Sequence, residues 1–143
     1  MALETKRDHD ATELLASAAR TDATGNGSAV RLAGMVNGFA FTLDVTVDES
    51  TAADKLDVYV QTKLDGTNWT DVVHFTQHDG NVGAKRYVAK IVAQLAQAEF
   101  EVGSALAEAN VRHLLGDEWR VRWAITDDSQ AASYTFSVTA CPM

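Results

Sequence analysis

LDVYVQTKLDGTNWTDVVHFTQ, residues 56–77, holds two alternating runs on either side of a polar break. Leu56, Val58, Val60, Thr62 and Leu64 share one parity and Asp57, Tyr59, Gln61 and Lys63 the other. That two-residue period is the mark of a strand with one apolar face and one wet face. Asp65-Gly66 then supplies a hairpin turn, because glycine tolerates positive φ and the aspartate side chain bonds nearby backbone N–H groups. Trp69 follows as a ring that folds back over the turn, and Val73 and Phe75 continue opposite Val72 and His74. The stretch predicts a hairpin. The open question is whether its histidines, tryptophan and acids also make a chemical site.

The same period recurs along most of the chain. Phe39, Phe41, Leu43, Val45 and Val47 alternate with Ala40, Thr42, Asp44 and Thr46. Tyr87, Ala89, Ile91 and Ala93 alternate with Arg86, Val88, Lys90 and Val92, and the aromatic and isoleucine parity is the expected core side. Trp119, Val121, Trp123 and Ile125 alternate with Arg120, Arg122 and Ala124, and Tyr134, Phe136 and Val138 with Thr135, Ser137 and Thr139. LDVTV at Leu43–Val47 and LDVYV at Leu56–Val60 read as neighbouring antiparallel strands. Thr12–Ala18 fits a strand or a helical turn, and TDATGNGS, residues 21–28, reads as a turn cluster. His78-Asp79-Gly80-Asn81 reads as another turn. Residues 96–115 fit a short strand around Phe100 and Val102, followed by a helical turn from Ala105 to Val111. Only that gap has room for a crossover helix, so a parallel α/β arrangement is disfavoured. The expectation is an all-β protein: an antiparallel β-sandwich or small barrel of about seven or eight strands. Residues 1–11 read as a flexible N-terminal arm and 12–143 as a single β domain.

Charge and composition narrow the partners. Twenty acidic residues against twelve basic ones leave a formal charge of -8, which repels a phosphate backbone unless the bases cluster. The tightest basic groups, Lys85-Arg86 with Lys90 and Arg120 with Arg122, fall on alternating strands where outward charge is ordinary. No nucleic-acid partner is expected. No apolar run reaches the roughly 18 residues that a membrane helix needs, and the N-terminus has no apolar signal core, so neither membrane nor secretion is expected. Cys141 stands alone, so no internal disulfide forms.

The residues that could carry chemistry also have structural roles to fill. Asp65, Asn68 and Asp71 offer oxygens to a calcium ion but fall short of the ligand set of a calcium loop. His74 and His78, with Asp71 or Asp79, are conceivable metal ligands; the competing reading places both on the wet face of a hairpin. His9 and His113 have no motif partner. There is no Gly-x-Ser-x-Gly elbow, and Gly25-Asn26-Gly27-Ser28 lacks the lysine of a phosphate loop. The adjacent acids Asp117-Glu118 and Asp127-Asp128 point opposite ways in extended chain. No catalytic residue, cofactor or metal ligand is therefore assigned.

Several stretches, in order, carry a likeness. They are Leu14–Thr21 (LLASAART), Gly25-Asn26-Gly27, Leu43–Thr46 (LDVT), Leu64–Asp71 (LDGTNWTD), Trp119–Trp123 (WRVRW) and Tyr134–Val138 (YTFSV). Together they cover most of the chain, and the set resembles small β-rich virion structural proteins of tailed bacteriophages, of the head decoration or stabilisation type. That resemblance implies a non-enzymatic capsid decoration protein, assembled in the host bacterial cytoplasm and seated on the outer head surface. Its implied partners are the major capsid protein and copies of itself, in a trimer. Leu3, Lys6 and Arg7 in the arm, with Leu14 and Leu15 where the arm joins the body, are the expected assembly contacts. A tail, neck or tail-terminator component is the alternative within the same setting. A carbohydrate-binding module is a further one, which requires Trp69, Tyr59 or Trp119 to form an open aromatic platform.

Overall fold

The computed structural model describes residues 10–143 except 22, 33, 35 and 128–131. The chain is all-β, and its strands form two antiparallel sheets packed as a sandwich. In chain order the strands are β1 (Thr12–Arg20), β2 (Thr24–Asn26), β3 (Val30–Arg31), β4 (Gly38–Val47), β5 (Lys55–Lys63) and β6 (Trp69–His74). They continue with β7 (His78–Asp79), β8 (Lys85–Val92), β9 (Asn110–Val111), β10 (Glu118–Thr126) and β11 (Tyr134–Pro142). One sheet has the order β1-β11-β4-β8. The other has the order β2-β10-β5-β6-β9, with β3 also on β10 and β7 also on β5. β4, β5, β6, β8, β10 and β11 are runs expected from alternation, β1 takes the strand option of the two open for residues 12–18, and the short β2, β3, β7 and β9 are additions.

Alternation places the core. Phe39, Phe41, Leu43 and Val45 from β4 and Tyr134, Phe136 and Val138 from β11 point inward from one sheet. Leu56, Val58 and Val60 from β5 and Trp119, Val121, Trp123 and Ile125 from β10 meet them from the other. Trp119 lies edge-on to Phe39, ring centroids 5.1 Å apart, and 5.5 Å from Phe41. The two LDV words therefore do not pair side by side: β4 and β5 belong to different sheets, and each word sends its Leu and Val into the core. The polar loop between them, residues 48–54, carries the chain from one layer to the other.

Bulges explain where simple alternation fails. In β1 the pairing with β11 slips between Glu13 and Leu15, so both consecutive leucines turn inward. Leu14 and Leu15, expected as contacts for a neighbour, are 3% and 8% exposed and belong to the chain's own core. The other expected contacts, Leu3, Lys6 and Arg7, and the arm that carries them, lie outside the described residues. A second slip, opposite Val60 and Gln61, makes Val72 and Val73 both buried, so β6 does not divide them between two faces as expected. Residues 21–28 are not merely a turn: Thr24–Asn26 adds a strand to β10, and Gly25 lies so close to the Trp123 ring that a Cβ would sit 2.2 Å from it. His78 and Asp79 pair with β5, so the expected turn begins only at Gly80. Residues 93–109 contain neither the expected strand at Phe100 nor the helical turn; the only strand of that region is β9.

Candidate functional site

The outer face of the seven-stranded sheet gathers the side chains that the sequence offers for chemistry. Antiparallel register sets them in rows. Arg122, Tyr59 and His74 lie side by side, then Arg120, Gln61 and Asp71, then Glu118, Lys63 and Trp69. The alternation that buries Val58 and Val60 is what turns Asp57, Tyr59 and Gln61 outward.

His74 is the centre of this face and is only 8% exposed, not a surface histidine as expected. Its Nε2 lies 2.9 Å from Asp57 Oδ1 and its Nδ1 2.8 Å from the Leu106 carbonyl oxygen. Both partners are acceptors, so satisfying both takes two ring protons, the imidazolium form. Burial alone would lower the His74 pKa, but the Asp57 carboxylate and the Leu106 carbonyl outweigh it, and the net shift is upward from 6.5. Burial would likewise raise Asp57, yet bonds from His74 and Gln77 and the charge of Arg122 hold it below its usual value. The ring of Tyr59 stacks on His74 with centroids 4.0 Å apart, and the Arg122 guanidinium lies 3.7 Å from the Tyr59 ring centre.

The neighbouring rows are equally committed. Asp71 accepts from Gln61 Nε2 at 2.7 Å and from Arg122 Nη2 at 3.2 Å, while Arg120 Nε donates to Gln61 Oε1 at 2.7 Å. Lys63 and Arg120 sit over the Trp69 ring, 4.9 and 4.4 Å from its centre, and Lys63 Nζ reaches Glu118 Oε2 at 3.0 Å. As an acid–base pair Asp57–His74 has the right elements, but each ring nitrogen has a partner in the fold and Gln77 Nε2 takes Asp57 Oδ2 at 2.8 Å. Both His74 ring nitrogens are thus engaged within the fold. Of the three rings named for a glycan platform, Trp119 is fully buried, cations lie over Trp69, and Tyr59 has Arg122 and His74 against its ring.

The hairpin that opened the question is structural. Asp65 Oδ1 accepts from the Thr67 and Asn68 backbone N–H groups at 2.9 and 2.8 Å, and Oδ2 accepts from Asn68 Nδ2 at 2.7 Å. These donors, Asn68 foremost, hold the Asp65 pKa down to about 2. Asp65 and Asn68 thus bond to each other and Asp71 bonds across the sheet, so the three do not converge as calcium ligands. Gly66 adopts φ +78° in open space. Gly66→Val is therefore expected to destabilise through backbone strain alone, by about 1–2 kcal/mol, as read by urea denaturation.

His78 is 0% exposed and sits apart from His74, with Nδ1 2.9 Å from the Tyr87 hydroxyl and Nε2 3.4 Å from Asp48 Oδ2. Burial pushes its pKa down, with Asp48 opposing. The two histidines, which sequence spacing suggested as joint ligands, are thus separately anchored. His113 accepts at Nδ1 from the Val92 N–H at 3.0 Å. His9 and Asp128 lie outside the described residues. No group of three or more metal-ligating side chains occurs among the described residues.

The two buried histidines give stability opposite pH dependences. His74 is raised above its unfolded value, so its contribution is complete below about pH 6.5 and is lost as pH rises through its folded pKa. His78 is lowered, so its contribution is present above its unfolded pKa and is lost as pH falls through the folded one. His74→Gln is expected to flatten the alkaline side of the stability profile and leave the acid side intact. Denaturation midpoints measured from about pH 5 to pH 8.5 check this.

Sequence reasoning missed Arg112, which is buried and clamps residues 93–109 to β6. Its guanidinium donates to the Asp71 carbonyl at 3.0 Å, to the Ser104 carbonyl at 3.2 and 3.3 Å and to Ser104 Oγ at 3.0 Å, and lies 3.9 Å from the Phe100 ring centre. An arginine beside Val111 and His113, just ahead of Leu114 and Leu115, was the available signal. Comparison with known proteins found no matching family model, no matching curated protein and no matching solved structure.

Proposed function

We propose that this chain is a non-enzymatic virion structural protein, a capsid decoration protein that binds the outer head surface and stabilises the shell. The observation that carries this reading is the commitment of His74, His78, Asp57 and Asp71 to bonds that hold the sandwich together. What such a body offers its surroundings is shape, edges and surface charge, which are the means of assembly. The resemblance of its ordered stretches to small phage structural proteins is what supports the virion setting. Avidity supplies the energetic logic: many copies on a repeating shell remain attached although each contact is weak. The major capsid protein and further copies of this chain are the proposed partners.

Purified chain mixed with phage heads that lack it tests the proposal. Saturable attachment to the outer shell, with increased resistance of the heads to heat, is the expected result. Attachment confined to the neck or tail would replace decoration with the alternative virion role. No attachment to any virion part would overturn the reading.

A further inference from the structure

Sheet edges expose backbone N–H and C=O groups that can pair with another strand, and most edges in this fold are guarded. β1 is broken by two register shifts, and Arg20 takes the Ala16 and Ala18 carbonyls. In the other sheet the edge strands are β2, β3, β7 and β9, of three, two, two and two residues. β8 differs: it is eight residues long and pairs with β4 without a register shift. The Val92 N–H points away from β4, to His113, whereas the Ala93 N–H returns to the Asn37 carbonyl. Antiparallel pairing alternates along a strand, so the backbone groups of Lys90, Val88 and Arg86 also turn outward. Among the described residues no hydrogen bond to these three outward N–H groups is found.

The side chains at this edge specify a partner. Arg86, Val88 and Lys90 share the outer face, with Val88 70% exposed, and Lys85 is exposed beside them. Arg86 meets Asp44 at 3.3 Å, an exposed pair that contributes little. Beside the strand runs an open groove of about 410 Å³ whose lining includes Phe75, Val88, Ala89, Ala109 and Val111. Ala109 stands at its lip with φ +59°, an uncommon conformation for a residue with a Cβ. A second copy of β8 is a poor occupant. Antiparallel self-pairing centred on Val88 sets Arg86 opposite Lys90 twice, and like charges directly opposite destabilise a sheet.

We infer that the β8 edge is a strand-docking site for an extended acidic segment of a partner protein, with acids facing Arg86 and Lys90 and an apolar residue facing Val88. Main-chain pairing supplies affinity, and the alternate side chains supply selection. The basic edge thus repels its own copies while it attracts an acidic strand. This deepens the assembly role and rests on it only for who the partner is.

The test uses the whole isolated chain and the peptide Thr-Glu-Thr-Val-Thr-Glu-Thr, with Thr-Lys-Thr-Val-Thr-Lys-Thr as its counterpart. NMR amide exchange is expected to slow by about tenfold at Arg86, Val88 and Lys90 with the acidic peptide and to stay unchanged with the basic one. Val88→Pro removes one outward N–H without breaking a bond to β4, and proline is tolerated on edge strands. It is expected to weaken peptide binding at least about tenfold. Lys90→Glu, an exposed change that leaves the core untouched, is expected to shift preference toward the basic peptide. No slowing at these amides, equal response to both peptides, or unchanged binding and preference in the two variants would overturn the inference. Protection that rises with protein concentration alone would assign the edge to a second copy and overturn it too. Because the peptide assay needs no virion, its failure is separable from failure to bind phage heads.

Discussion

Trp119→Ala is expected to lower the unfolding free energy by about 3–5 kcal/mol, the range for removing a large aromatic from a packed core. The indole is fully buried between Phe39 and Phe41, and it also donates from Nε1 to the Gly116 carbonyl at 3.2 Å. Its loss leaves a cavity where the two sheets meet and an acceptor without its donor. Those neighbours lie on the opposite sheet, so the cavity cannot close by moving one side chain. Guanidinium denaturation of the variant checks the value. A loss under about 1 kcal/mol would mean that the two sheets are not packed through this residue.

Arg112→Met is expected to cost about 3 kcal/mol, since hydrogen bonds to a charged group are worth about 1.5–3 kcal/mol each and several are lost together. The methionine retains apolar bulk against Phe100 but leaves the Asp71 and Ser104 carbonyls unserved. Part of the effect is local. Residues 93–109 have no ladder of their own and are held by Arg112, by the Leu106 carbonyl on His74 and by Glu108, which accepts from the Gln77 N–H at 2.7 Å. Limited proteolysis is therefore expected to open this segment in the variant while the strands remain protected. Cleavage spread evenly through the sheets would show that the clamp is global instead.

What was legible in the chain depended on period. β4, β5, β10 and β11 repeat every two residues over nine or ten residues, and their buried faces follow directly. A bulge erases that signal locally, which is why the shared burial of Val72 and Val73 did not follow from alternation and why the adjacent Leu14 and Leu15 both turn inward. The short β2, β3, β7 and β9 exist because longer neighbours recruit them, so a window of two or three residues carries no period of its own. LDVTV and LDVYV were recognisable as strands, but partner choice is a tertiary property that similar words do not encode. Similar reasoning applies to the hairpin: Asp65-Gly66 was readable because turn chemistry is local. The roles of His74 and His78 were not, since Asp57, Leu106, Asp48 and Tyr87 reach them from distant positions. The edge status of β8 was hidden for the same reason. Its bases looked like ordinary outward charge until the topology left one side of the strand unpaired.

Electron cryo-microscopy of phage heads saturated with the purified chain tests the central proposal most directly. Copies of the sandwich are expected on the outer shell, each with an extended acidic strand of the shell protein paired along Arg86, Val88 and Lys90 of β8. Heads with a bare outer surface, or copies found only at the neck or tail, would contradict it.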